Sequence, residues 1–263
     1  MYTQSIPWSF KERGSGPAVV FSHGTLMDKS MFDPQLDALS DGYRAIAFDS
    51  RARTGPWDDQ FDLHTLADDT LRFLDDLGIE KCVLAGMSVG GFMALEFALV
   101  HQDRLDGLIL IDVMAQAYTP EEQEGFGHEF DKLDAEGNVP REWAEWAAPF
   151  CFGPAAYRDT PKLVEQWIER WCSLPARSVY REAYSWLGVR DRSEEVSSIT
   201  VPVLAVHGVE DAPISIERAR LMVAAMPNAM LVEIPDAGHT SNLENPSAVN
   251  SAIRSFLDGV YGR

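Results

Sequence analysis

Runs of apolar residues at 18–22, 43–48, 82–86, 108–111, 201–206 and 230–234 are short and carry no polar alternation, the pattern of strands buried on both faces. Between them the apolar positions take helical spacing: Leu66, Leu71, Leu74 and Leu77 with Asp and Arg between, then 92–100, 219–226 and 248–257. Strands that alternate with helices predict right-handed βαβ crossovers and an α/β fold, a mostly parallel central sheet flanked by helices. Functional loops then gather at the carboxyl ends of the strands.

The stretch 116–196 breaks this rhythm. Patterns at 121–135, 140–150, 161–171 and 176–187 read as helices with no strand between them. The expectation is a core formed by 1–115 and 197–263, with 116–196 inserted as a helical cap. That insert holds Trp143, Trp146, Trp167, Trp171 and Trp186, five of the seven tryptophans. Spacings of three and four place Trp143 with Trp146, and Trp167 with Trp171, each pair on one helix face. Either they join cap to body or they line a ligand pocket, for which Trp143, Trp146 and Trp186 are the candidates.

Charge narrows the partners. With 22 basic and 41 acidic residues the net charge is −19, which repels nucleic-acid phosphates and anionic lipid headgroups. No apolar run approaches the roughly 18 residues of a membrane span, and residues 1–10 lack the charged and apolar regions of a signal peptide. The sequence therefore reads as soluble and cytoplasmic, with neither nucleic acid nor membrane as partner. Cys82, Cys151 and Cys172 are scattered without metal spacing and read as structural thiols; no metal or cofactor is implied.

The chemistry centres on Gly86-Met87-Ser88-Val89-Gly90, a G-x-S-x-G between a buried strand and a helix. A serine at such a turn has strained backbone angles, and only very small residues two positions either side avoid the neighbouring strand and helix. An oxyanion needs two donors. Val89, after the serine, supplies one backbone N–H, and the loop His23-Gly24-Thr25-Leu26 supplies the other through Thr25. His23 itself reads as an anchor for that loop. A serine hydroxyl also needs a base, and His239, in Pro235-Asp236-Ala237-Gly238-His239-Thr240 after the last strand, sits on a loop that can reach it. The orienting acid belongs at a strand end: Asp211 in Gly208-Val209-Glu210-Asp211, with Asp112 after the 108–111 strand and Glu210 as alternatives.

Strand, His-Gly loop, G-x-S-x-G elbow, cap, Gly-x-x-Asp and Gly-His, in that order, resemble the α/β-hydrolase family over nearly the whole chain. Met31-Phe32-Asp33-Pro34-Gln35-Leu36, the cap length and His239-Thr240-Ser241-Asn242-Leu243-Glu244 are similar to bacterial 3-oxoadipate enol-lactonases and their esterase relatives. The resemblance implies an α/β-hydrolase fold and a Ser88, Asp211, His239 triad that cleaves a small-molecule ester or lactone through an acyl-enzyme. Carbon–carbon bond hydrolysis or peracid formation would use the same triad, and a non-catalytic ligand-binding member is the reading from another class. Homo-oligomerisation is left open.

The chain departs from those relatives twice. Where they usually carry Asp-x-Arg-Gly-x-Gly, it reads Asp49-Ser50-Arg51-Ala52-Arg53-Thr54-Gly55, and its N-terminus has room for one of two leading antiparallel strands. A diacid lactone would need cations in the cap, yet Arg141, Arg158, Arg170, Arg177 and Arg181 lie on helices whose arginines usually face solvent. The tryptophans favour an apolar ester or lactone.

Overall fold

The computed structural model describes residues 8–55, 57 and 59–263. Residues 1–7, on which most of the signal-peptide reading rests, lie outside the described residues. The sheet comprises β1 (Phe10–Arg13), β2 (Ala18–Ser22), β3 (Arg44–Phe48), β4 (Cys82–Met87), β5 (Leu105–Ile111), β6 (Val203–Gly208) and β7 (Ala229–Ile234). Their order is β1-β3-β2-β4-β5-β6-β7, parallel throughout except for β1, which runs antiparallel to β3.

Helices cover both faces. The chain forms α1 (Asp33–Leu39) and α2 (Arg51–Thr54), then α3 (Leu63–Asp76), whose start is fixed by a capping box between Asp62 and Thr65. Next comes α4 (Val89–Val100), apolar almost all round and buried over Val89 to Ala98, as a helix in the middle of a sandwich must be. Five helices fill the connection from β5 to β6: α5 (Pro120–Asp131), α6 (Arg141–Cys151), α7 (Pro154–Asp159), α8 (Pro161–Trp171) and α9 (Ala176–Trp186). The chain ends with α10 (Ile216–Ala225), α11 (Ser241–Glu244) and α12 (Pro246–Tyr261). Among the described residues no helix is long and apolar enough to cross a membrane.

The apolar runs lie where the sequence puts strands, with shifted ends. β5 begins at Leu105, ahead of the 108–111 run: Asp106 and Gly107 interrupt the apolar pattern, and the strand continues through them with a register shift against β4, where Leu105 pairs with Cys82 and Gly107 with Val83. β1, Phe-Lys-Glu-Arg, has no apolar signature at all. It is an edge strand whose Phe10 is 39% exposed, and charge on an edge discourages pairing with another chain. α7 was not foreseen either, since its few residues between Gly153 and Thr160 are too short to show a period.

Candidate active site

Ser88 follows β4 and opens α4 with φ +51 and ψ −117, outside ordinary serine conformations. The turn is held by Ser88 N donating to Ile111 O at 3.0 Å, and by the N–H groups of Gly91 and Phe92 donating to Ser88 O, each at 2.8 Å. Its tightness explains the flanking glycines. A Cβ at Gly86 would sit 2.2 Å from Gly90 O, and one at Gly90 would sit 2.3 Å from Ser22 O, both backbone atoms that cannot swing aside.

His239 bridges two partners. Its Nε2 lies 3.0 Å from Ser88 Oγ and its Nδ1 lies 2.7 Å from Asp211 Oδ2. Asp211 is fixed in turn: Oδ1 accepts from Ile214 N at 2.8 Å, and His207 Nε2 stands 3.2 Å from Oδ2 and 2.8 Å from Ile214 O. Burial alone would lower the pKa of His239, but the charge of Asp211 and its hydrogen bond outweigh burial and raise it above the ordinary imidazole value. Burial opposes ionisation of Asp211 as well, and the two imidazoles beside it nevertheless hold its carboxyl below the usual range.

Asp112 is as deeply buried but points elsewhere. Its Oδ1 accepts from Gly208 N at 2.8 Å, and its Oδ2 accepts from Ser241 N at 3.1 Å and Ser241 Oγ at 2.8 Å. Burial pushes this carboxyl up to about 7, while His207, deprived of water but hydrogen-bonded to Asp211 and facing Asp112, is raised to about 9. Asp112, His207 and Asp211 present ligand atoms within 4.8 Å of one another, a spacing a cation could bridge; all three are already committed to the hydrogen bonds just given. Glu210 is exposed at the rim of its loop. The structure thus brings Asp211, not Asp112 or Glu210, to the imidazole.

The two amides read as oxyanion donors flank the serine. Val89 is the first residue of α4, so its N–H has no carbonyl a turn earlier in the helix to bond. Among the described residues no acceptor meets Thr25 N, whereas the next amide, Leu26 N, donates to Glu182 Oε2 at 3.1 Å. Gly24 lets this loop pass close: a Cβ there would lie 3.4 Å from Ser88 Cβ and 2.3 Å from Met87 Sδ. His23 anchors the loop from below, with Ser50 N donating to its Nε2 at 3.0 Å and its Nδ1 2.9 Å from Gly24 O. Burial and then the charge of Arg53 depress its pKa, consistent with a neutral ring protonated on Nδ1.

Above Ser88 and His239 lies a cavity, partly open to solvent. Trp143, Trp146 and Trp186 are on its wall, joined by Tyr118, Phe126, Phe130 and Phe150, which the sequence did not single out. Phenylalanines in an amphipathic helix give no sign of which side is a pocket. Trp167 and Trp171 are not on its wall; Trp171 is fully buried and stacks on Phe152 at 6.0 Å. Two buried polar atoms of the lining residues, Thr25 Oγ1 and Trp186 Nε1, have no hydrogen-bond partner among the described residues.

Ser88, His239 and Asp211 stand together on the exits of β4, β7 and β6, in the chain order Ser, Asp, His. The model of the Alpha/beta hydrolase family matches residues 19–252. The chain belongs to the alpha/beta hydrolase family. Within it, the chain is 31% identical to a thermophilic esterase from Thermogutta terrifontis, a structure that superposes with a TM-score of 0.89 over 96% of this chain and 93% of that one. It is 27% identical over 251 residues to 3-oxoadipate enol-lactonase 1 of Acinetobacter baylyi (strain ATCC 33305 / BD413 / ADP1), covering 94% of this chain and 90% of that protein. The enol-lactonase from Burkholderia xenovorans LB400 shares the fold, with a TM-score of 0.86, 24% identity and coverage of 95% and 96%. This alpha/beta hydrolase therefore has esterase and lactonase homologues.

Proposed function

We propose that this alpha/beta hydrolase cleaves carboxylic esters or lactones by two-step acyl transfer, with Ser88 as nucleophile, His239 as general base and acid, and Asp211 as the group that orients and charges the imidazole. The observation that carries the reading is His239 suspended between Ser88 Oγ and Asp211 Oδ2, at 3.0 and 2.7 Å. Ser88 Oγ attacks the carbonyl carbon and passes its proton to His239 Nε2. The amides of Thr25 and Val89 hold the resulting oxyanion. His239 then protonates the departing alkoxide, leaving the acyl group on Ser88. Water attacks that ester, gives its proton to His239, and Ser88 recovers it as the acid departs.

The cavity supports an apolar acyl group, with Trp143, Trp146 and Trp186 as substrate-binding residues. Among the described residues no lysine or arginine lines it. Of the arginines that a diacid would need, four are spent elsewhere: Arg141 on Glu145 and Glu165, Arg158 on Asp159, Arg170 on Asp28, and Arg177 on Asp134; the fifth, Arg181, lies over the Tyr180 ring at 5.5 Å and is not on the cavity wall. A substrate oxygen beyond the scissile carbonyl would satisfy Thr25 Oγ1 or Trp186 Nε1, whose unmet bonding costs about 1–3 kcal/mol each when buried. The test is Ser88→Ala against a panel of p-nitrophenyl esters and lactones. Activity should fall ~10⁴-fold or more with the circular dichroism spectrum unchanged. Pure variant that keeps more than about a tenth of wild-type turnover defeats the proposal.

A further inference from the structure

The buried ion pair between Arg53 and Glu182 takes no part in the acyl-transfer steps above. Its side chains are 5% and 2% exposed, and Arg53 Nη2 donates to Glu182 Oε2 at 2.7 Å. Arg53 lies in the segment that departs from the family's Asp-x-Arg-Gly-x-Gly, while Glu182 belongs to α9 in the insert, and α2 packs against α9. Each member of the pair also grips one backbone group beside the nucleophile: Glu182 Oε2 accepts from Leu26 N at 3.1 Å, and Arg53 Nε donates to Met27 O at 2.7 Å.

That stretch of loop needs holding. Met27 N donates to Gly24 O at 3.1 Å, closing a turn whose third residue, Leu26, has φ +68. Turns of that kind ordinarily place glycine there, and a leucine persists in such a conformation only where its surroundings fix it. The residue between Gly24 and Leu26 is Thr25, whose amide is the second oxyanion donor in the proposed mechanism.

We propose that Arg53 and Glu182 are positioning residues, a latch through which α9 of the insert fixes the Thr25 amide over Ser88. The inference rests on the acyl-transfer reading and adds a cause for its oxyanion geometry. Glu182 lies one turn before Trp186 on the same face of α9, and Trp186 lines the cavity. An acyl group seated against Trp186 braces the helix that grips Leu26, so filling the cavity and aligning the oxyanion donor are one event. Acyl-chain length then acts on kcat as well as on KM.

The experiment compares wild type, Glu182→Gln, Arg53→Met and Arg53→Lys on p-nitrophenyl acetate, butyrate and hexanoate, with active sites titrated and a trifluoromethyl ketone of matched chain as oxyanion analogue. Losing one oxyanion donor costs about 10²–10³ in kcat, so a displaced donor should cost about tenfold or more. Glu182→Gln and Arg53→Met should show that fall, KM changed by less than about threefold, and ketone affinity weakened in step with kcat/KM. Arg53→Lys keeps the charge without the forked geometry and should fall between wild type and Arg53→Met. Lower melting temperatures with unchanged kcat and ketone affinity would make the pair a mere staple and overturn the proposal, as would a loss confined to KM. Should Glu182→Gln or Arg53→Met fail to fold, the milder Arg53→Lys decides by the same two readouts. If Ser88→Ala remains active the acyl-transfer reading falls; if it is inactive while the latch variants keep kcat, only the latch falls.

Discussion

Changing Asp211 to asparagine should separate the carboxylate that serves His239 from its buried neighbour Asp112. Asp211 uses both oxygens as acceptors, Oδ1 for Ile214 N at 2.8 Å and Oδ2 for His239 Nδ1 at 2.7 Å, with His207 Nε2 at 3.2 Å from the same atom. An asparagine offers one acceptor. If its oxygen stays with Ile214, its NH₂ faces Nδ1, which must then accept, and the imidazole proton moves to Nε2, where it blocks transfer from Ser88. If the amide flips, the Ile214 N–H meets another N–H, and the negative charge that raises His239 is gone in both cases. We expect kcat to fall ~10³ to 10⁴-fold, a barrier increase of about 4–5.5 kcal/mol. The same change at Asp112 leaves Ser88 and His239 untouched and strands one backbone donor, either Gly208 N or Ser241 N. That costs about 1–3 kcal/mol of stability and less than about tenfold in kcat. Saturation kinetics with p-nitrophenyl butyrate and a thermal melt of each variant read both quantities. Equal losses of kcat in the two variants, or Asp211→Asn retaining more than about a tenth of wild-type turnover, would refute the assignment.

Because Asp211 holds the His239 pKa above its ordinary value against burial, kcat/KM in wild type should rise with pH through an apparent pKa above about 6.5 and then level off; Asp211→Asn should move that limb to lower pH. A flat profile from pH 5 to 9 with a substrate whose binding is at equilibrium would remove His239 as base. The tryptophans should divide by place. Trp146→Ala, on the cavity wall, should flatten the climb of kcat/KM with acyl length, which burial of each methylene makes as much as ~0.8 kcal/mol. Trp171→Ala, fully buried off that wall, should lower stability by about 3–5 kcal/mol and leave the length profile unchanged. The reverse pattern in melting curves and ester series would show the cavity assignment to be wrong.

The parts of the fold that could be read from the sequence are those whose burial is symmetrical. β2, β4 and β6 lie inside the sheet with helices on both faces, so polar residues fall only at their carboxyl ends, Ser22 and His207, and their apolar runs stand out. β1 pairs on one side only, and its lysine, glutamate and arginine are what an edge tolerates and a pattern search discards. Ser88 was legible because its turn dictates the glycines around it. The choice between Asp112 and Asp211 was not, for they end the adjacent strands β5 and β6 and are both buried. What separates them is direction: Asp112 has φ +55, which turns its carboxylate toward Gly208 and Ser241. Arg53 and Glu182 were beyond reach for another reason. They are 129 residues apart, and a lone glutamate on an amphipathic helix looks like any solvated side chain until the loop it meets is in place.

Apart from Ser88, whose strain the flanking glycines announce, the strained positions are visible only in the structure. Among the described residues four non-glycine positions take positive φ: Leu26, Ser88, Asp112 and Asp236. They follow β2, β4, β5 and β7, so every one stands at the carboxyl edge of the sheet, where the loop holding Thr25, the Ser88 turn and the loop holding His239 emerge. Each such residue costs of the order of 1–3 kcal/mol and needs partners that forbid relaxation. Ile111 O and the first turn of α4 hold Ser88; Gly208 and Ser241 hold Asp112; Glu182 and Arg53 hold the turn at Leu26. The loop Asp236-Ala237-Gly238 before His239 is tied by Glu210 N donating to Ala237 O at 2.9 Å. Stability drawn from the evenly packed interior of the sheet is therefore concentrated along one edge as fixed geometry, and the buried polar groups that enforce it are as much a part of the site as the three residues they surround.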